Sequence, residues 1–154
     1  MEPKLTPFCT ELTGITQDKV DAGIPFTEAL AKYHSFLSSA ADDIHIEGPY
    51  TNCHILTCGD WDLKQMLPKQ CRVSGIPIPG FMKRWVNIKK VMPKFKAFTR
   101  TKVYGMTHML ELLGLELEGR HHSGIDDCRN IARIVVKTLE TQPDARKVWK
   151  SELV

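Results

Sequence analysis

The stretch Gly119–Leu139, GRHHSGIDDCRNIARIVVKTL, decides how this chain is read. It sets His121 and His122 side by side on a short loop, then Asp126 and Asp127 in the first turn of a helix. Ser123 stands at the N-cap position and Asp126 follows three residues later, which predicts a capping box between them. Ile125, Cys128, Ile131, Ala132, Val135 and Leu139 recur at helical spacing and predict the buried face. At about 100° per residue, Asp126 points away from that face while Asp127 falls at its margin. Asp126 therefore has a capping task and Asp127 is left for chemistry. A carboxylate at the edge of a buried face, five residues after His122, suits metal binding or acid–base work.

Upstream, residues 83–102, KRWVNIKKVMPKFKAFTRTK, carry eight Lys or Arg and no acidic residue. The whole chain is only +3, so everything outside this strip is net negative, and the charge is local. Such a strip predicts a polyanion partner. Interleaved Trp85, Phe95, Phe98 and Tyr104 would stack bases while the lysines, Lys89 and Lys90 among them, hold phosphates. The competing reading is a solvated strand edge protected by lysine. RWVNIKKV (84–91) reads as a strand, and Thr107–Leu113 as a short helix closed by Gly114.

Further upstream, residues 52–58 form a short apolar strand ending at Gly59, in which His54 reads as a packed histidine. Asp60 is placed as the N-cap of a helix over 61–71, closed by Gly75. Asp62 then lies in the first helical turn at the C-terminal end of a strand, where α/β sheets present functional groups. It either binds a metal or complements the helix dipole. Phe26, Leu30, Tyr33 and Leu37 predict an amphipathic helix over 26–38, and residues 39–51 a polar loop. Residues 1–15 start as irregular chain. In LTGIT (12–16), Gly14 reads as a turn residue or as a point of close backbone approach.

The length of 154 residues fits one domain with a real core. No run is long and apolar enough to span a bilayer, and the N-terminus lacks the pattern of a secretory signal. Five scattered cysteines read as free thiols and point to an intracellular protein, in cytoplasm or nucleus, without a structural zinc site. The order of elements is α/β, but only two strands are convincing, which is few for four helices. The tail after Gln142-Pro143 reads as charged and peripheral, giving a domain over 1–142 and a tail over 143–154.

Asp62, His122 and Asp127 come from the ends of different elements, as site residues often do. Carboxylates without paired cysteines favour Mg²⁺ or Mn²⁺, and a histidine beside them can accept a proton near neutral pH. His121 competes with His122 for that role. A zinc hydrolase using both histidines and both aspartates is disfavoured, because adjacent helical residues diverge by about 100°.

GRHHSGIDDCRNIARI resembles the third motif of the DEDDh 3′–5′ exonucleases, a histidine followed five residues later by aspartate. LTPFCTELTGIT (5–16) and TCGDWDLKQMLPKQC (57–71) resemble the ERI-type exoribonuclease branch of that family, and the likeness runs from about residue 3 to residue 138. The resemblance implies a ribonuclease-H-like fold with a mixed five-stranded sheet. It implies a metal-dependent 3′–5′ exoribonuclease that releases nucleoside 5′-monophosphates from RNA 3′ ends, with Mg²⁺ or Mn²⁺ in a two-ion site. Asp62 and Asp127 would be metal ligands and His122 the general base. Thr13, Gly14 and Ile15 would lie near the terminal nucleotide, and Trp61 would line its pocket.

Two departures qualify the match. His121 stands where relatives carry proline. The family's first motif, Asp-x-Glu on a first strand, does not occur in the chain, so the resemblance implies an N-terminally incomplete fold lacking its first strands. The chain alone is then expected to degrade RNA barely above background. The alternative is an RNA-binding module derived from the nuclease fold, with no catalysis.

Overall fold

Short apolar runs punctuated by glycine and proline give this chain short strands and mostly short helices, and the computed structural model describes them for residues 4–43 and 54–152. They fall into two compact units, Ile24–Val86 and Met1–Gly23 with Asn87–Val154.

In the unit Ile24–Val86, helix α3 (Phe26–Asp43) follows Pro25 and continues through 39–43, where a loop is expected from the polar sequence. Residues 44–51 of that expected loop lie outside the described residues. Ser35 and Ser38 return their hydroxyls to the carbonyls of Ala31 and His34, so these polar residues are compatible with a continued helix. Tyr33 and His34 pack on Phe81 at centroid distances of 6.3 and 6.0 Å. Strand β1 (Ile55–Thr57) pairs with β2 (Trp85–Asn87) in a parallel two-stranded sheet. These are the only strands among the described residues, as the sequence pattern suggests.

Between the strands, Asp62–Met66 forms a π-helical turn and Leu67–Val73 the helix α4. In this wide turn the Leu67 N–H reaches back five residues to Asp62 O, and Pro68, next in the chain, has no N–H to give to the carbonyl of Lys64. Asp60 does not cap this helix with its side chain. Its carboxylate accepts from the Trp85 indole at 2.9 Å, while its carbonyl accepts from Lys64 N–H.

The second unit begins with helix α1 (Pro7–Thr13), where irregular chain is expected. Thr6 caps it by accepting from Cys9 N–H, and proline at the first helical position is pre-set for a helix and loses no bond there. Helix α2 (Gln17–Asp21) follows. The predicted strand over 84–91 stops at Asn87, whose side chain accepts from Lys89 N–H and starts helix α5 (Ile88–Val91). One N-cap thus converts the second half of a strand-like run into helix. Ile88, Val91, Met92 and Phe95 are fully buried together with Met109 and Leu110 of α6 (Met106–Leu112) and Ile134 of α7 (Gly124–Thr141).

The α7 face differs from the predicted one. Asn130, Ile134 and Thr138 are fully buried, whereas Ile125 (61% exposed), Leu139 (48% exposed), Cys128 and Ala132 face outward. The two polar residues are compatible with burial because each has partners. Asn130 bonds the Glu118 backbone, and the Thr138 hydroxyl accepts from the Trp149 indole at 3.1 Å.

Trp149 belongs to α8 (Ala145–Glu152), the segment expected to be a peripheral tail. Ala145, Val148 and Trp149 are buried, and Trp149 meets Phe95 edge to face at 6.1 Å. Charged residues line the outer side of α8 and mask its apolar stripe in composition alone.

Candidate active site

The loop before α7 is built by two left-handed backbone positions and two hydrogen bonds to aspartate side chains. Gly119 has φ +75°, and a Cβ there would lie 2.5 Å from Cγ of Asp126, so only glycine fits. His122 also has a positive φ, +68°, which is uncommon for a side-chain-bearing residue. The loop is then tied to the helix it precedes. The Asp126 carboxylate accepts from Arg120 N–H at 3.1 Å, and Asp127 Oδ1 accepts from His122 N–H at 3.3 Å.

The capping box takes a different form from the one expected. Asp126 does anchor the backbone ahead of the helix, but three residues further back, at Arg120 rather than at Ser123. The Ser123 side chain makes no capping bond to backbone and meets the Asp126 carboxylate instead. The Arg120 N–H, then the Ser123 hydroxyl, then the charge of Arg129 hold the Asp126 carboxyl below its ordinary 3.8. Asp127 is half-buried and remains beside the two histidines.

His121 and His122 stack, with centroids 3.9 Å apart and ring planes at 20°. One ligand atom from each ring and one from Asp127 lie within 4.8 Å of one another. Histidine and carboxylate therefore meet as the five-residue spacing predicts. Asp127 could offer one hard oxygen donor. That fits an ion such as Mg²⁺, which is commonly held by one or two carboxylates with water and phosphate oxygens completing the shell.

The 13–15 segment also meets this loop. Arg120 donates through Nη2 to the carbonyl of Glu11, and its Nη1 lies 3.1 Å from where a Gly14 Cβ would stand. Gly14 is the left-handed C-cap of α1, φ +73°, so the turn and close-approach readings both hold. The Thr13 hydroxyl donates to Cys9 O and accepts from Ile15 N–H, and so helps shape this turn, while Ile15 is 44% exposed. Arg120 was not singled out from the sequence, and its place between a glycine and the histidine pair was the available signal. Asn130 was missed too. Its amide donates to Glu118 O and Asp126 O and accepts from Glu118 N–H, joining the loop's entry to α7.

Asp62 and Trp61 belong to the unit Ile24–Val86, at the start of the π-helical turn. Both are exposed, Trp61 by 67%. With Lys64, Gln65, Met66, Pro68, Lys69 and Arg72, Trp61 lines an open cavity of about 500 Å³.

The basic strip is partly redistributed. Phe95 and Phe98 are core residues packed edge to face on each other at 6.4 Å, and Trp85 is bound to Asp60, so these three do not form an open stacking row. Tyr104 is 66% exposed, with Lys102 Nζ 5.1 Å from its ring centroid. Lys94 pairs with Glu152 of α8, so the strip is not wholly unopposed. Lys89 and Lys90 sit on α5, half-buried and exposed respectively.

The sequence model of the exonuclease family (RNase T) matches residues 1–135. The chain is 42% identical to mouse 3′-5′ exoribonuclease 1 over 137 residues, covering 89% of this chain and 38% of that protein. It is 42% identical to human ERI1 exoribonuclease 3 over 139 residues, covering 90% of this chain and 39% of that one. The chain thus spans about two fifths of the length of these curated relatives. Its structure is similar to the crystallographic nuclease domain of 3′hExo, a DEDDh family member bound to rAMP. The TM-score is 0.75 at 38% identity, covering 90% of this chain and 68% of that one. The chain therefore belongs to the exonuclease family, with its DEDDh ribonuclease-H-like fold.

Proposed function

We propose that this chain acts as a metal-dependent 3′–5′ exoribonuclease that takes nucleoside 5′-monophosphates from the 3′ end of RNA. The observation that carries the reading is the His122–Asp127 pair, held side by side by the loop's own hydrogen bonds within a chain of the exonuclease family. Asp127 would be a ligand for Mg²⁺ or Mn²⁺, the role that the family resemblance also gives to Asp62. Such an ion, when bound, stabilises negative charge on phosphoryl oxygens and acidifies a nearby water. The exposed ring of His122 accepts the proton of the attacking water through a ring nitrogen. Thr13, Gly14 and Ile15, fixed next to the loop through Arg120, form one wall for the terminal nucleotide. Trp61 offers a face for base stacking. Lys89 and Lys90 contribute positive charge to holding the RNA backbone.

No Asp-x-Glu tripeptide occurs in the chain, so turnover by this polypeptide is expected to be slow. The test is a time course on 5′-labelled single-stranded RNA with Mg²⁺ or with EDTA. Stepwise shortening from the 3′ end that disappears with EDTA and in Asp127→Asn supports the reading. Internal cuts, or shortening that survives Asp127→Asn, contradict it.

A further inference from the structure

We propose that His121, His122 and Asp127 form a binding site for a borderline transition ion, Zn²⁺ in the first instance, and that its occupancy switches the nuclease site off. Adjacent side chains in extended chain point to opposite sides. Here the left-handed backbone at His122 turns both rings the same way, into a stack 3.9 Å apart. The Asp127 carboxylate completes the group, with one ligand atom from each of the three within 4.8 Å of the others. A tetrahedral zinc with ligands at 2.0–2.2 Å has neighbouring donors about 3.3 Å apart. To reach that spacing the two rings must swing out of their stack until one nitrogen of each points at the ion, while the Asp126 and Asp127 bonds hold the loop's backbone.

Donor chemistry then selects the ion. Two imidazoles and one carboxylate suit Zn²⁺, and also Co²⁺ or Ni²⁺, while Mg²⁺ prefers an all-oxygen shell. Three protein donors on a partly exposed loop leave a fourth position for water, so the ion can enter and leave. His121 is the residue that makes the difference. With one imidazole and one carboxylate the loop would be a poor zinc ligand. With two it competes for the side chains, His122 and Asp127, that the proposed hydrolysis uses. The switching role rests on that proposed function, whereas the binding does not.

The experiment is a calorimetric titration of the protein with ZnCl₂ in millimolar Mg²⁺, repeated for His121→Ala and Asp127→Asn. Co²⁺ absorption serves as a second readout, and far-UV circular dichroism confirms that each variant is folded. The expected result is one Zn²⁺ per chain with micromolar affinity, weakened at least about tenfold in each variant. Even residues that only hydrogen-bond to a metal's ligands contribute about 10- to 100-fold in affinity. The Co²⁺ spectrum should be tetrahedral without intense thiolate bands. Zinc affinity unchanged in His121→Ala, or a thiolate spectrum showing that cysteines hold the ion, overturns the site. One-site binding together with unimpaired 3′ shortening in zinc keeps the site and overturns the switch.

Discussion

The close approach of Gly119 to Asp126 helps to hold the shape of the loop before α7. Gly119→Ala forces a side chain into a positive-φ position and onto the Asp126 carboxylate, 2.5 Å from its Cγ. The backbone penalty alone is about 1–2 kcal/mol, and urea unfolding should show at least that loss. Asp126 gives the loop a pH dependence. Its carboxyl is held below 3.8 because the charged form takes the Arg120 N–H. The stabilisation is therefore full above pH 3.8 and is lost as pH falls through the lower folded-state value. The stability difference between wild type and Asp126→Asn should be constant around neutrality and shrink only below about pH 4. A difference that shrinks between pH 8 and 6 would contradict the assignment. Asn130 is a buried amide with three backbone partners, and Asn130→Ala should cost about 1–3 kcal/mol in the same assay, because those partners lose their bonds.

Among the elements, α5 and α8 carry the consequences that sequence patterns hid. RWVNIKKV has the apolar content of a strand, and only the side chain of Asn87, folded back on Lys89 N–H, shows that half of it is helix. Lys89 and Lys90 are thereby presented on α5. Double reversal to glutamate should weaken RNA binding and reduce the slope of log K against log salt by at least about 1.4 for single strands, at 0.7 per phosphate contact. An unchanged slope would remove α5 from the RNA path. In α8, Trp149 fills space against Phe95 and donates to Thr138. Trp149→Ala should cost about 3–5 kcal/mol, measured by chemical unfolding.

For the molecule as a whole, spacing carried the nearness of His122 to Asp127, and tertiary partners carried the rest. The five-residue interval between His122 and Asp127 was readable because loop and first helical turn are local, and local geometry follows from local sequence. The buried face of α7 was not readable from apolar periodicity, since Asn130 and Thr138 are buried by virtue of bonds to distant residues, Glu118 and Trp149. The stacking role of Phe95 and Phe98 failed for the related reason that aromatic residues between lysines can face inward. The two-stranded sheet, by contrast, was visible in the count of apolar runs. The central claim is that the His122–Asp127 pair hydrolyses RNA from its 3′ end. Its most direct test is mass spectrometry of the products formed from single-stranded RNA in ¹⁸O-water with Mg²⁺. The account predicts nucleoside 5′-monophosphates carrying one ¹⁸O on phosphate, absent with Asp127→Asn and reduced with His122→Ala. Labelled 5′-monophosphates formed equally by both variants, or products bearing 3′-phosphates, would contradict it.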